Sequence, residues 1–160
     1  MSQFDSAVAG GKLVKIESNP QAAAGELETS LGELARARRS FSSGNLDDVV
    51  EQAYFAMLHC ARIALGLRGF RSNNVWALGV GLGHLFIDSV DEATAQLPAE
   101  HLQHLRDGKT IKDSVYGGTR AQHAEARNLL AWAHDFLRVM FSRLRLQGFE
   151  AERVPTQLPG

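Results

Sequence analysis

Apolar positions recur at helical spacing along most of the chain, and the longest such run, residues 45 to 67, organises the rest. Within it Leu46, Val49, Val50, Ala53, Met57, Cys60, Ala64 and Leu67 follow at steps of three and four, which aligns them on one helical face. Tyr54, Leu58, Ala61 and Leu65 widen that seam, while Asp47, Asp48, Glu51, Gln52, His59 and Arg62 fall largely away from it. Apolar surface on two neighbouring faces predicts a helix packed between others.

The same pattern places further helices around this one. Asn19-Pro20 is a helix start, Asn as N-cap and Pro in the first turn, and it opens a helix to about Phe41 with Ala24, Leu27, Leu31, Leu34 and Phe41 inward. Gly44 ends that helix and Asn45 caps the central one, so a short loop makes the two antiparallel neighbours. A third helix, about Asn74 to Ser89, carries Val75, Leu78, Leu82, Leu85 and Phe86. Its glycines, Gly79, Gly81 and Gly83, weaken it by propensity. They mean either close packing against a neighbour or a segment that orders on assembly.

A fourth helix begins near Pro98 and ends at Tyr116-Gly117-Gly118, with Gly108 a candidate interruption. Thr119 is read as the cap of a last helix running to about Leu146, with a seam of Ala126, Leu129, Leu130, Ala133, Phe136, Leu137, Met140 and Leu144. Gly148 stops it. No segment reads as a strand. The expected fold is all-α, an antiparallel up-and-down bundle of four to five helices over residues 19–147. Residues 1–18 are a poorly specified arm, either laid on the bundle or frayed. Residues 148–160, with Pro155 and Pro159, read as a flexible tail.

Composition adds limits. A chain of 160 residues is one domain's worth, and 44% hydrophobic residues is ordinary for a globular protein. A formal net charge of -1 leaves any attraction for phosphate to a local patch. The single cysteine, Cys60, cannot form a disulfide within the chain and reads as a small buried apolar residue. No run approaches the ~18 apolar residues of a membrane span, and the first residues lack a signal peptide's pattern, so a cytoplasmic location is expected.

Local chemistry is sparse. His101 and His104 have a spacing that brings two ligands to one helical face, but without further ligands they read as a surface pair, and no metal or cofactor is expected. His59 and His84 read as boundary residues. Arg36, Arg38 and Arg39 suit the macrodipole at a helix C-terminus, with a phosphate patch as the second reading. The aromatics Trp76, Phe86, Trp132 and Phe141 read as core or interface packing ahead of base stacking. Gly79, Gly81 and Gly83 lack the preceding strand and following Lys of a phosphate loop.

Several stretches together resemble the HEPN domain family. They are Ala53-Tyr54-Phe55-Ala56, Ala61-Arg62-Ile63-Ala64-Leu65, the turn Gly66-Leu67-Arg68-Gly69-Phe70, and Lys112-Asp113-Ser114-Val115-Tyr116-Gly117. The last helix joins them with Ala124-Glu125-Ala126 and Ala133-His134-Asp135-Phe136-Leu137. The resemblance covers roughly residues 20 to 146. It implies an up-and-down bundle that forms a symmetric dimer. Members act as metal-independent RNases, often toxins, or as non-catalytic nucleotide-binding partners of a nucleotidyltransferase.

The nuclease members carry an Arg, a polar residue and, after four to six residues, a His. Arg holds the scissile phosphate and His transfers protons near neutrality. Here Lys112-Asp113 stands at the Arg-polar place and Tyr116 near the His place, one residue short. Lys holds phosphate less well than a bidentate Arg, and a phenol is a poor base at neutral pH. Arg127-Asn128 followed by His134 is the one formal match elsewhere. Two helical turns set those side chains on one face about 10 Å apart, which reads as a solvated face and is retained as the alternative site.

The resemblance therefore leads to a dimeric HEPN-like protein that binds RNA or nucleotide, with nuclease activity weak or absent. Lys112 would hold phosphate, Asp113 would orient it, and Tyr116 would donate a hydrogen bond. Lys109, Arg120 and His123 would be further phosphate contacts. The alternatives are a metal-independent toxin RNase of a toxin–antitoxin pair and a non-catalytic partner subunit of a nucleotidyltransferase.

Overall fold

A computed structural model of the chain describes residues 1–88, 97–144 and 150–159. It is all-α apart from one short two-stranded ribbon. In chain order the elements are α1 (Gln3–Ala9), β1 (Leu13–Lys15), α2 (Pro20–Ser42), α3 (Leu46–Leu67), β2 (Phe70–Ser72), α4 (Val75–Leu82), α5 (Ala99–Tyr116) and α6 (His123–Leu144). A π-helical turn, Gly83–Ile87, continues α4, and a 3-10 turn, Ala151–Arg153, lies in the C-terminal segment.

α3 is the core of the bundle. Val49, Val50, Ala53, Tyr54, Ala56, Met57, Leu58, Cys60, Ala61, Ile63, Ala64 and Leu65 are all buried on it, because α2, α4, α5 and α6 each pack against it. α2 starts as its sequence dictates, with the Asn19 side chain accepting from the Ala22 amide. It ends at Gly44, whose φ of 77° is a left-handed conformation that glycine adopts without a Cβ penalty. The Asn45 amide then donates back to the Ser40 carbonyl at 2.9 Å. Asn45 takes the N-cap position of α3, but its side chain makes no capping bond. Between the two helices the buried Ser30 hydroxyl donates to the Ala56 carbonyl at 2.7 Å, and Ser40 donates to Gln52 at 2.8 Å. The falling partner numbers as α2 advances identify an antiparallel pair.

The strands depart from the sequence expectation. β1 and β2 pair antiparallel with Leu13 opposite Ser72, Val14 opposite Arg71 and Lys15 opposite Phe70. Three residues are too few for a period-2 pattern to register, and the partners are far apart in sequence. The ribbon lays the N-terminal arm on the bundle, with Ala7 and Leu13 each 1% exposed.

The glycines divide. A Cβ on Gly81 would stand 2.7 Å from Leu65 Cδ1, so α4 approaches α3 closely at that point. Gly108 does not interrupt α5. It is buried where a Cβ would come within 2.9 Å of Leu129 Cδ1 and 3.1 Å of Met57 Cε.

Two further expectations are corrected. Thr119 does not cap the last helix. α6 begins at His123, and the Gln122 amide donates to the Glu125 carboxylate three residues ahead, at 3.0 Å. The segment 150–159 is not a loose tail, since Val154 is 1% exposed and the segment's carbonyls are held by α2 and α6 side chains. The expected ends near Ser89 and Leu146, and the stop at Gly148, lie outside the described residues. Among the described residues no helix is long and apolar enough to cross a membrane.

Candidate binding surface on α3 and α5

Helical spacing gathers Lys109, Lys112, Asp113 and Tyr116 on one side of α5. The Asp113 carboxylate bridges both lysines, Oδ2 to Lys109 Nζ at 2.6 Å and Oδ1 to Lys112 Nζ at 2.8 Å. Hydrogen bonds from Lys109 and then Lys112 hold its pKa below the ordinary carboxylate value.

The Lys112 side chain is 14% exposed because rings of α3 and of α5 itself cage it. Its ammonium lies 4.8 Å from the ring centre of Tyr116, 5.3 Å from Tyr54 and 6.0 Å from Phe55. Each ring face attracts the cation through its quadrupole. Tyr116 donates its phenolic proton to Glu51 at 2.7 Å, which raises its pKa, and the residue remains 58% exposed. Tyr54 is pushed up to about 12 by burial, and to a lesser degree by Asp113. Both phenols therefore stay protonated at neutral pH, and the His59 ring lies one turn further along α3, 6.2 Å from that of Phe55. The cluster offers cations, a hydrogen-bonding phenol and an exposed aromatic residue.

Lys112, Asp113, Tyr116 and Lys109 are thus together. Arg120 and His123 make no described contact with these four and lie by the start of α3 and the end of α2. The Ala121 amide donates to Asp47 at 2.7 Å, one turn of α3 before Glu51, and Arg120 lines a hollow of about 310 Å³ with Asp47 and Asp48. His123 is exposed, its ring 5.2 Å from that of Phe41. Sequence reasoning missed Glu51, Tyr54 and Phe55 as members. Tyr54 and Phe55 read as seam residues, and Glu51 as a first-turn acid.

Arg127 and His134 share no site. Arg127 is exposed on α6, whereas His134 is 2% exposed and both its ring nitrogens are engaged. Nδ1 donates to the Pro155 carbonyl at 2.7 Å, which leaves Nε2 to accept from Arg38 Nη1 at 3.2 Å. Burial is the largest cause that lowers its pKa, and Arg38 adds to it. The imidazole is a neutral structural link.

His101 and His104 are not a surface pair. His101 is 5% exposed with its pKa lowered by burial, and His104 stacks on Trp132 with centroids 4.6 Å apart and planes 6° apart. Among the described residues no group of three or more His, Cys, Asp or Glu is arranged to hold a metal. Cys60 is fully buried, and burial pushes its thiol far above the usual range, so it is no nucleophile. No protein-family model matches the chain, and neither curated proteins nor solved structures yield a match.

Proposed function

We propose that this chain is a HEPN-like bundle that pairs with a second copy and binds single-stranded RNA or a nucleotide on the Lys112 face without cleaving it. The observation that carries the reading is Tyr116, a residue more than half exposed, with its ring 4.8 Å from the caged ammonium of Lys112. A base stacks on an open aromatic ring at about 1–3 kcal/mol per base, without sequence preference. Lys109 and Lys112 supply phosphate contacts next to it. The full engagement of His134 supports binding over hydrolysis.

The test is fluorescence anisotropy of a labelled oligoribonucleotide in EDTA, with AMP as a competitor and the RNA recovered on a gel. Binding is expected, with Tyr116→Ala about tenfold or more weaker and the RNA intact. RNA cut by the wild type, or affinity indifferent to Tyr116 and Lys112, would overturn the reading.

A further inference from the structure

A second recess lies between the C-terminal half of α2 and the segment 150–159. It is a groove of about 740 Å³, within the range of about 300–1,000 Å³ usual for small-molecule sites. Leu31, Leu34 and Pro155 give it an aliphatic wall, and Arg38 and Arg39 stand at its edge. Arg153, paired with Glu28 at 2.8 Å, also lines it, and no carboxylate is among the described lining residues.

Arg38 is half-buried, and its described partners are neutral. Nη1 donates to the Gln157 carbonyl at 2.6 Å and to His134 Nε2 at 3.2 Å. A guanidinium drawn partly out of water is ordinarily matched by an anion. No carboxylate among the described residues forms an ion pair with it. The neutral imidazole, with Nδ1–H on the Pro155 carbonyl, accepts from Arg38 through Nε2 but carries no negative charge to match it. The network therefore holds Arg38 in place and leaves its charge without a described anion, in a groove lined by both aliphatic and polar side chains. Arg39, the next residue, is exposed, and it and Arg153 bring further cations to the lining. Among the described residues no aromatic ring lines the groove, whereas an alkyl chain finds Leu31 and Leu34.

We infer that this groove binds a small aliphatic anion, an acyl carboxylate whose head group lies on Arg38 and Arg39 and whose chain lies along Leu31 and Leu34. Planar, bidentate pairing with a carboxylate is what a guanidinium does best. The site is separate from the Lys112 face and does not rest on the reading given to it.

Isothermal titration of the full chain tests this, with sodium decanoate, decanol and AMP as parallel ligands. Decanoate is expected to bind one per chain, decanol about tenfold more weakly or worse, and AMP not at this site. Arg38→Gln and Arg39→Gln are each expected to weaken decanoate about tenfold. Arg39 has no described side-chain partner, so its variant keeps the test sound even where Arg38→Gln loosens the 150–159 segment. Equal binding of decanol and decanoate, indifference to Arg39→Gln, displacement of decanoate by AMP, or no decanoate binding would each overturn the inference.

Discussion

Arg38 on α2 and His134 on α6, 96 positions apart, meet at 3.2 Å, and through them the C-terminal segment is tied to both helices. Arg38 holds the Gln157 carbonyl, His134 holds the Pro155 carbonyl, and Arg138 holds the Val154 carbonyl. His134→Ala removes the central link, opens a small void and frees the part-buried Pro155 carbonyl. It is expected to cost about 1–3 kcal/mol. The segment 150–159 should also become sensitive to limited proteolysis at protein concentrations where the wild type resists. An unchanged digestion pattern would contradict the link.

The same ring makes stability depend on pH. Burial holds the pKa of His134 below the ordinary 6.5, so in acid the unfolded chain takes up a proton that the folded chain resists. Its stabilising effect is complete above pH 6.5 and declines as pH falls through the window between 6.5 and the lowered folded value. His101 is shifted in the same direction and adds to the slope. Urea unfolding at pH 7.5 and 5.5 should therefore show a larger acid loss for the wild type than for His134→Gln. Equal losses would mean that the imidazole is already solvated in the folded state.

Two glycines should respond to the same substitution with opposite signs. Gly25 lies exposed within α2, and a Cβ there meets nothing within 4 Å. Gly25→Ala should stabilise by about 0.5–1 kcal/mol through the chain entropy that glycine otherwise loses. Gly81 has a Cβ position 2.7 Å from Leu65 Cδ1 and 3.4 Å from Leu13 Cδ2, both side chains being buried. Overpacking of a filled core costs about 1–3 kcal/mol, which outweighs the propensity gain. Thermal melts of the two single variants, one above and one below the wild type, would establish it; two rises would show that α4 packs loosely.

Much of the bundle was legible in the sequence because long helices repeat their signal. Asn19, Pro20 and Gly44 announce the limits of α2, and the seam from Leu46 to Leu67 announces α3. What the sequence hid is non-local. Leu13 to Lys15 pairs with Phe70 to Ser72, and no three-residue stretch advertises a distant partner. The segment after residue 149 looks polar and Pro-rich, yet carbonyls hold it through Arg38, His134 and Arg138, and a carbonyl leaves no mark on residue type. At the candidate surface, spacing alone grouped Lys109, Lys112, Asp113 and Tyr116. Glu51, Tyr54 and Phe55 were invisible as members because they come from another helix, and their residue types also suit a core seam.

The burial of α3 can be tested at Met57. Its side chain is 0% exposed, and its Cε lies 3.1 Å from the Cβ position of Gly108 on α5. Met57→Ala should cost about 2–5 kcal/mol in unfolding free energy, the lost transfer energy plus the void left between the helices. A change near zero in chemical denaturation would remove α3 from the centre of the core.

The last prediction concerns Asp113. Its carboxylate holds both Lys109 and Lys112, so two cations of the proposed RNA surface are spent on an internal anion. If Asp113 chiefly orients them for phosphate, Asp113→Asn weakens RNA binding. If it chiefly competes with phosphate, the substitution tightens it. The geometry favours competition, because the ring cage of Tyr54, Phe55 and Tyr116 positions Lys112 without the carboxylate. Asp113→Asn is therefore expected to raise affinity at low salt. It should also steepen the plot of log affinity against log salt, by about 0.7 for each lysine newly given to a single-stranded phosphate. Anisotropy titrations from 50 to about 200 mM salt, a range over which counterion release dominates, measure both quantities. A weaker complex with an unchanged slope would return Asp113 to a positioning role.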